Sequence, residues 1–279
     1  MTLKNCCCVC LCVYNNEEGL PRVLNNIKKL DEIFNTEILV FYDHSNDKTP
    51  QILNDFRMNH KNLKIIINNN KRSRLRTENI AFARNSLIQL IRNDYKHYEY
   101  FIMMDSNEYS CVGNINIDVI KETLTHKNWD CISFDRAAGY YDTWALSFDP
   151  YIYSFFHLNN YKKVVSMMRK DFEILLNEYK KKDEFIPVYS AFNGFAIYKT
   201  NKFLNCSYSS IIDLSLFPPD SIIKQELLTG EKIIHNKIND CEHRHFHLEA
   251  IKKNNALIRI STKHVFSKVI DDRPLGQIV

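Results

Sequence analysis

The sequence predicts an α/β protein, a central mostly parallel sheet flanked by helices and built as one domain. Three observations predict it. Short apolar runs alternate with amphipathic helical stretches through the first half of the chain, the pattern of strands joined by crossover helices. Polar clusters follow several of those runs directly, as they do where a parallel sheet gathers its ligands at strand carboxyl ends. No Pro/Gly/Ser-rich stretch or break in composition divides the 279 residues, and there are only 6 glycines for hinges.

The first strand is Cys7 to Val13. Five of the nine cysteines fall at Cys6, Cys7, Cys8, Cys10 and Cys12 among valine and leucine. Cys7 and Cys10 form a C-x-x-C, but neither a second pair nor a nearby histidine completes a zinc site. Free cysteine packs as a small hydrophobe, so a buried strand accounts for them, and their density fits a reducing compartment. A loop at Tyr14 to Gly19 leads to a helix from about Leu20 to Phe34. The second strand, Glu37 to Tyr42, closes on Asp43-His44-Ser45-Asn46-Asp47 and is followed by a helix from about Pro50 to Met58. Leu63 to Ile67 is the third strand. Ile80, Ala83, Leu87, Leu90 and Ile91 then repeat at helical spacing and predict one buried stripe, with Arg76 and Arg84 off it. Tyr100 to Met104 is the fourth strand and Trp129 to Phe134 the fifth.

The second half is less regular. Val164, Val165, Met168, Phe172, Leu175, Leu176 and Tyr179 give Tyr161 to Lys182 the period of a long amphipathic helix, whose lysine-rich end suits the helix dipole. Ala191 to Tyr198 and Ala256 to Ser261 read as strands, and the tail from Asp271 on as irregular.

Composition narrows the function. Apolar residues at 45% and charged ones at 25% are those of a soluble globular domain. A net charge of +4 is too small a footprint for nucleic-acid binding, although basic residues cluster from Lys71 to Arg84. Neither G-x-G-x-x-G nor a Walker pattern is present. The amino-terminal apolar run is too short to span a membrane and lacks a cleavage region, so the expected location is cytoplasmic, with no transmembrane segment. The abundance of Asn, Ile and Lys fits an AT-rich genome such as that of a large virus or a protist.

The chemistry is expected at the strand ends. Tyr14, Asn15, Asn16 and Glu17 follow the first strand, Asp43 and Asp47 the second, and Asp105 with Asn107 the fourth. Carboxylate and amide oxygens at i and i+2 suit a hard divalent cation, and arginine forks match diphosphate oxygens. Any one cluster is equally an Asx-rich turn; three around one edge point to a nucleotide.

These residues carry a family resemblance. Val9 to Glu17, with Val40-Phe41-Tyr42-Asp43-His44-Ser45-Asn46-Asp47-Lys48-Thr49, resembles the opening of nucleotide-sugar glycosyltransferases of the GT-A fold. Arg74-Leu75-Arg76-Thr77-Glu78-Asn79-Ile80-Ala81-Phe82-Ala83-Arg84-Asn85 is similar to the R-T-x-x-I-A-x-A-R-N pattern of the Anp1-like and CAP59-like mannosyltransferase groups. Asp105-Ser106-Asn107 falls where the fold keeps its D-x-D motif, with Asn107 in place of the second acid.

The resemblance implies a UDP- or GDP-sugar donor, Mn²⁺ or Mg²⁺ near Asp105 and Asn107, and transfer to a hydroxyl of a glycan or glycoprotein, most simply with inversion. It implies a nucleotide-binding half at 1–110 and an acceptor and catalytic half at 111–279. Tyr14, Asn15, Glu17, Asp43, Arg76 and Arg84 would meet the donor; Arg84 could instead pair with Asp105. The segment with Asn193 and Gly194 resembles the one such enzymes place under the acceptor and donor sugar. Asp142 and Trp144, after the Gly139-Tyr140-Tyr141 turn, are by their own chemistry suited to hydrogen-bonding and stacking on an acceptor sugar. Glu242 looks similar to the catalytic base that opens a late helix, with Asp240 as its fallback, and His264 to a late metal ligand, with His243 behind it. A retaining transferase, an inactive binding module and a nucleotidyltransferase remain alternatives, since a shared fold does not choose among chemistries.

Overall fold

The computed structural model describes residues 4–107, 113–137, 139–234 and 239–267. The predicted irregular tail lies outside them. β1 (Asn5–Val13), β2 (Phe34–Tyr42), β3 (Leu63–Ile67) and β4 (Tyr100–Asp105) form a parallel block in the order β3-β2-β1-β4. β7 (Phe195–Lys199) runs antiparallel between β4 and β5 (Cys131–Asp135). β8 (Ile258–His264) lies parallel to β5, and the two-residue β6 (Ile186–Pro187) closes the edge antiparallel to β8. The sheet is therefore eight-stranded, mostly parallel and mixed.

Alternation along β1 shows why the cysteines are there. Cys8 and Cys10 point into one core layer, while Cys7, Val9, Leu11 and Val13 point into the other. The first layer holds α3 (Arg76–Asp94), α5 (Tyr161–Lys182) and α7 (Glu242–Asn254) through Leu87, Ile91, Val164, Met168, Phe172 and Phe246. The second holds α1 (Leu20–Leu30), α2 (Thr49–Asn59) and α4 (Ile117–Thr125) through Val23, Ile27, Leu53 and Ile120.

Several expectations change. The first helix stops at Leu30, because Phe34 is a buried strand residue paired with Asn5. Trp129 precedes β5, stacked on Tyr100 with ring centres 6.0 Å apart. The stretch expected to be extended from Ala191 turns first, with Asn193 at φ 57° and Gly194 at φ 85°, and only then enters β7. α4, capped by the Asn116 side chain on the N–H groups of Asp118 and Val119, and α6 (Ser221–Thr229) have no counterpart among the predicted elements. Arg84 is not off the buried stripe of α3: it is only 5% exposed.

Candidate functional site

The carboxyl ends of β1, β2, β3, β4 and β5 share one sheet edge with the start of β7, and order switches at β1, whose neighbours are β2 and β4. A crevice for a ligand is expected at such a switch.

On the β2 side stand Tyr14, Asp43, Asn68 and Arg72. The Asp43 carboxylate accepts from Asn68 Nδ2 at 2.9 Å and from Arg72 Nη1 at 2.6 Å. The Arg72 guanidinium lies 3.6 Å from the ring centre of the exposed Tyr14. This group offers a flat aromatic surface, a carboxylate and a guanidinium in one place. In the sequence Arg72 is marked only as part of the basic cluster.

Asn15 and Glu17 join two loops of this edge. Asn15, at φ 42°, donates its N–H to Ser45 Oγ at 2.9 Å, and its Oδ1 accepts from Asn46 N at 2.9 Å. Glu17 donates its N–H to Asp47 Oδ2 at 3.0 Å and accepts from Lys48 N at 2.9 Å. Four bonds thus stitch the loop after β1 to the loop after β2.

On the β4 side the centre is Arg84. Its guanidinium pairs with Glu242 Oε1 through Nη1, which also meets His243 Nε2, and with Asp105 Oδ1 through Nη2 at 3.3 Å. The rings of Phe192 and Tyr208 lie 4.7 and 5.7 Å from it. The motif around it is legible in these contacts: Ala81 and Ala83 are small where α3 meets the sheet, and Asn85 exchanges two 2.8 Å bonds with the backbone of Tyr208. Burial opposes the charge on Arg84, yet Glu242 and Asp105 more than offset it and hold the guanidinium protonated. Burial pushes the Glu242 carboxyl above its ordinary value, with Arg84 and the exposed Arg76 acting against it.

Asp105 meets more than Arg84. Tyr141 donates its hydroxyl to Asp105 Oδ2 at 3.2 Å, and Asp105 donates its N–H to the Gly194 carbonyl at 2.9 Å. The positive φ at Gly194 is what turns that carbonyl onto the end of β4. Asn193 Oδ1 accepts the N–H groups of Tyr141 and Asp142 at 3.2 and 3.4 Å, while its Nδ2 donates to the Phe134 carbonyl at 2.8 Å. Asn193 therefore braces the 141–142 backbone. Asp142 is half-buried, and its carboxyl is pushed up to about 6 by burial and by repulsion from Asp105 and Glu242, against the N–H of Ala145 and the charge of Arg84. Trp144 faces inward, its ring 5.7 Å from that of Phe156.

Asp240 does not join this cluster. It is buried, accepts from Arg244 Nε at 2.7 Å and lies 3.8 Å from His157 Nε2. Burial raises its carboxyl, but Arg244 and His157 outweigh it and hold it below the usual range. Arg244 also reaches the carbonyls of Leu146 and Ile152 at 3.2 and 3.3 Å, the Trp144 carbonyl and the Ser147 hydroxyl. Asp240 thus anchors a scaffold built on Arg244. His264 likewise sits elsewhere: its Nε2 is 3.4 Å from Asp135 Oδ2, and two strands stand between β8 and β4. His243 is buried against Phe192, with ring centres 3.9 Å apart.

Among the described residues, no three His, Cys, Asp or Glu form a ready cation cage. Yet Asp105, Asp142 and Glu242 set three carboxylates against the one buried guanidinium of Arg84, an excess of negative charge that fits a divalent ion. Mg²⁺-type ions are commonly held by one or two protein oxygens plus substrate phosphates, and Asp105 and the Asn107 amide carry oxygen donors of that kind.

The fold is the GT-A fold of nucleotide-sugar glycosyltransferases. Residues 8–109 match the family described as glycosyl transferase family 2, which places the match on the segment carrying Tyr14, Asp43, Arg84 and Asp105. The TarS 1-349 structure of S. aureus in complex with UDP is similar at TM-score 0.53 and 17% identity, covering 96% of this chain and 61% of that one. The structure titled simply TarS 1-349 gives 0.50 and 17%, covering 94% and 59%. This chain thus spans about three-fifths of the TarS 1-349 chains. Curated protein sequences contain no match to it.

Proposed function

We propose that this chain transfers a sugar from a nucleoside-diphosphate sugar to an acceptor hydroxyl. The observation that carries the reading is the joint placement of Tyr14, Asp43 and Asp105 on one sheet edge, within the segment that matches glycosyl transferase family 2. Tyr14 and Asp43, with Arg72, take the base and ribose end of the donor; TarS, with which the fold is shared, has a structure in complex with UDP. Residues 1–110 would then be the nucleotide half and 111–279 the acceptor half.

Asp105 and Asn107 are the residues that would hold Mn²⁺ or Mg²⁺. When bound, that ion supplies positive charge to the departing diphosphate. Arg76, exposed in the first turn of α3, adds its own charge and the positive helix end on the same side. Arg84 stays with Glu242 and orients Asp105 rather than reaching the donor, because its guanidinium is already shared between the two acids. A carboxylate of the Asp105, Asp142 and Glu242 cluster receives the acceptor proton, giving attack from the face opposite the leaving group and inversion.

The experiment is a panel of UDP and GDP, with and without MnCl₂, scored by melting temperature, together with nucleotide release from the corresponding sugars. A shift that depends on Mn²⁺ in the wild type and disappears in a folded Asp105→Ala protein is expected. No shift with any nucleotide would overturn the reading. Asn107, where a second acid is usual, favours one rival, a binding module: a shift with no nucleotide release from any donor would establish it.

A further inference from the structure

Transfer needs a carboxylate that an incoming hydroxyl can reach, and neither acid expected for that role from the sequence is available. Asp240 is spent on Arg244. Glu242 has a side chain only 5% exposed and is paired with Arg84. A carboxylate closed off from solvent and held by a guanidinium is poorly placed to meet an acceptor.

Asp142 differs on each count. It is half-buried, and among the described residues only its Oδ1 is hydrogen-bonded, by the Ala145 N–H at 3.2 Å. Its backbone is fixed by Asn193, and the neighbouring Tyr141 reaches Asp105, so Asp142 stands beside the end of β4 where the diphosphate is placed. The charged groups that face it are Asp105 from β4, Glu242 from α7 and Arg84 from α3.

We infer that Asp142 is the group that takes the proton from the acceptor hydroxyl, and that Glu242 is a positioning residue which holds Arg84 against Asp105. The inference rests on the transfer reading above. In the step, the acceptor oxygen bonds to the anomeric carbon while its proton passes to Asp142 Oδ2. The bond from that carbon to the diphosphate oxygen breaks, its electron pair leaves with the nucleoside diphosphate, and Asp142 later returns the proton to solvent.

The test measures nucleoside-diphosphate release from UDP-glucose, UDP-N-acetylglucosamine and GDP-mannose in MnCl₂, with water as the acceptor. The full-length wild type is compared with Asp142→Asn, Asp142→Ala, Glu242→Gln and Asp105→Ala. Both Asp142 variants should lose at least about 100-fold in release while keeping the nucleotide-dependent melting shift. Sodium formate should restore part of the rate in Asp142→Ala, which a purely structural role would not allow. Glu242→Gln should lower the melting temperature and weaken the nucleotide shift, yet retain release within about tenfold. Wild-type release in the Asp142 variants, or loss of release in Glu242→Gln with melting temperature and shift intact, overturns the assignment. Wild-type release in Asp105→Ala, or none from any donor in the wild type, instead overturns the transfer reading and the assignment with it.

Discussion

At the scale of single residues, the site is organised by one arginine that the sequence leaves ambiguous. Arg84 stands in a helical pattern that predicts it off the apolar stripe, and only the three-dimensional position of Glu242, 158 residues away, explains why it is buried. No spacing rule reaches that far. Asp142 is the complementary case: its raised carboxyl has a consequence for stability that can be measured. Its folded value of about 6 lies above the unfolded value of about 4, so the native state binds more protons in that window. Its contribution is complete below about pH 4 and is lost as pH rises through 6. Each pH unit between the two values corresponds to about 1.4 kcal/mol, and partial exposure reduces the effect, so the cost at pH 8 is on the order of 1–2 kcal/mol. Asp142→Asn should therefore be more stable than the wild type by that amount in urea unfolding at pH 8. At pH 4 the two should coincide. A variant that is both more stable and less active is the expected signature of a functional residue held under electrostatic strain.

At the scale of elements, strong local signals are legible in the sequence and long-range ones are not. β3 and α5 coincide with their predicted bounds, because each has a clean period and clear ends. β7 starts later than expected because Asn193 and Gly194 take positive φ, which an apolar count cannot register. His243, His245 and His247 crowd together in the sequence because they open α7, a helix buried on several sides. Within that helix Arg244 performs the joining role. It is 1% exposed and ties Asp240 to four groups of the 144–152 segment that follows Asp142. Arg244→Ala would leave Asp240 as a buried charge without its guanidinium and the Trp144 and Leu146 carbonyls without that donor, while the Ile152 carbonyl keeps the Ser147 hydroxyl. A loss of about 3–5 kcal/mol is expected from breaking a buried pair in this way. Chemical unfolding measures it, and a loss below about 1 kcal/mol would mean that the 144–152 segment is held by packing alone.

At the scale of the whole molecule, the parallel half of the sheet is legible because its polar residues line one edge, Asp43 after β2 and Asp105 at the end of β4. The mixed half is not, since the order β4-β7-β5-β8 joins strands far apart in the chain. That half also decides how the protein responds to acid. His243 and His247 lie between α7 and the sheet, stacked with ring centres 5.5 Å apart. His247 meets the Ser190 hydroxyl at 3.0 Å and the Tyr198 hydroxyl at 3.1 Å. Burial, with Arg84 adding repulsion, lowers His247 to about 3 and His243 well below its ordinary value. Both must stay neutral in the native state, whereas an unfolded histidine takes up a proton near pH 6.5. Their contribution is complete above pH 6.5 and falls as pH drops toward the folded values, by about 1.4 kcal/mol per pH unit for each ring. By pH 4.5 His247 alone removes roughly 2–3 kcal/mol, a sizeable part of an ordinary domain's stability; His243 acts in the same direction, and Asp142 returns only a fraction of the loss. Urea midpoints should therefore fall steadily from pH 6.5 to pH 4.5, and His247→Gln should show a clearly shallower slope. A midpoint that stays level across that range would mean that both rings are open to solvent in the native protein.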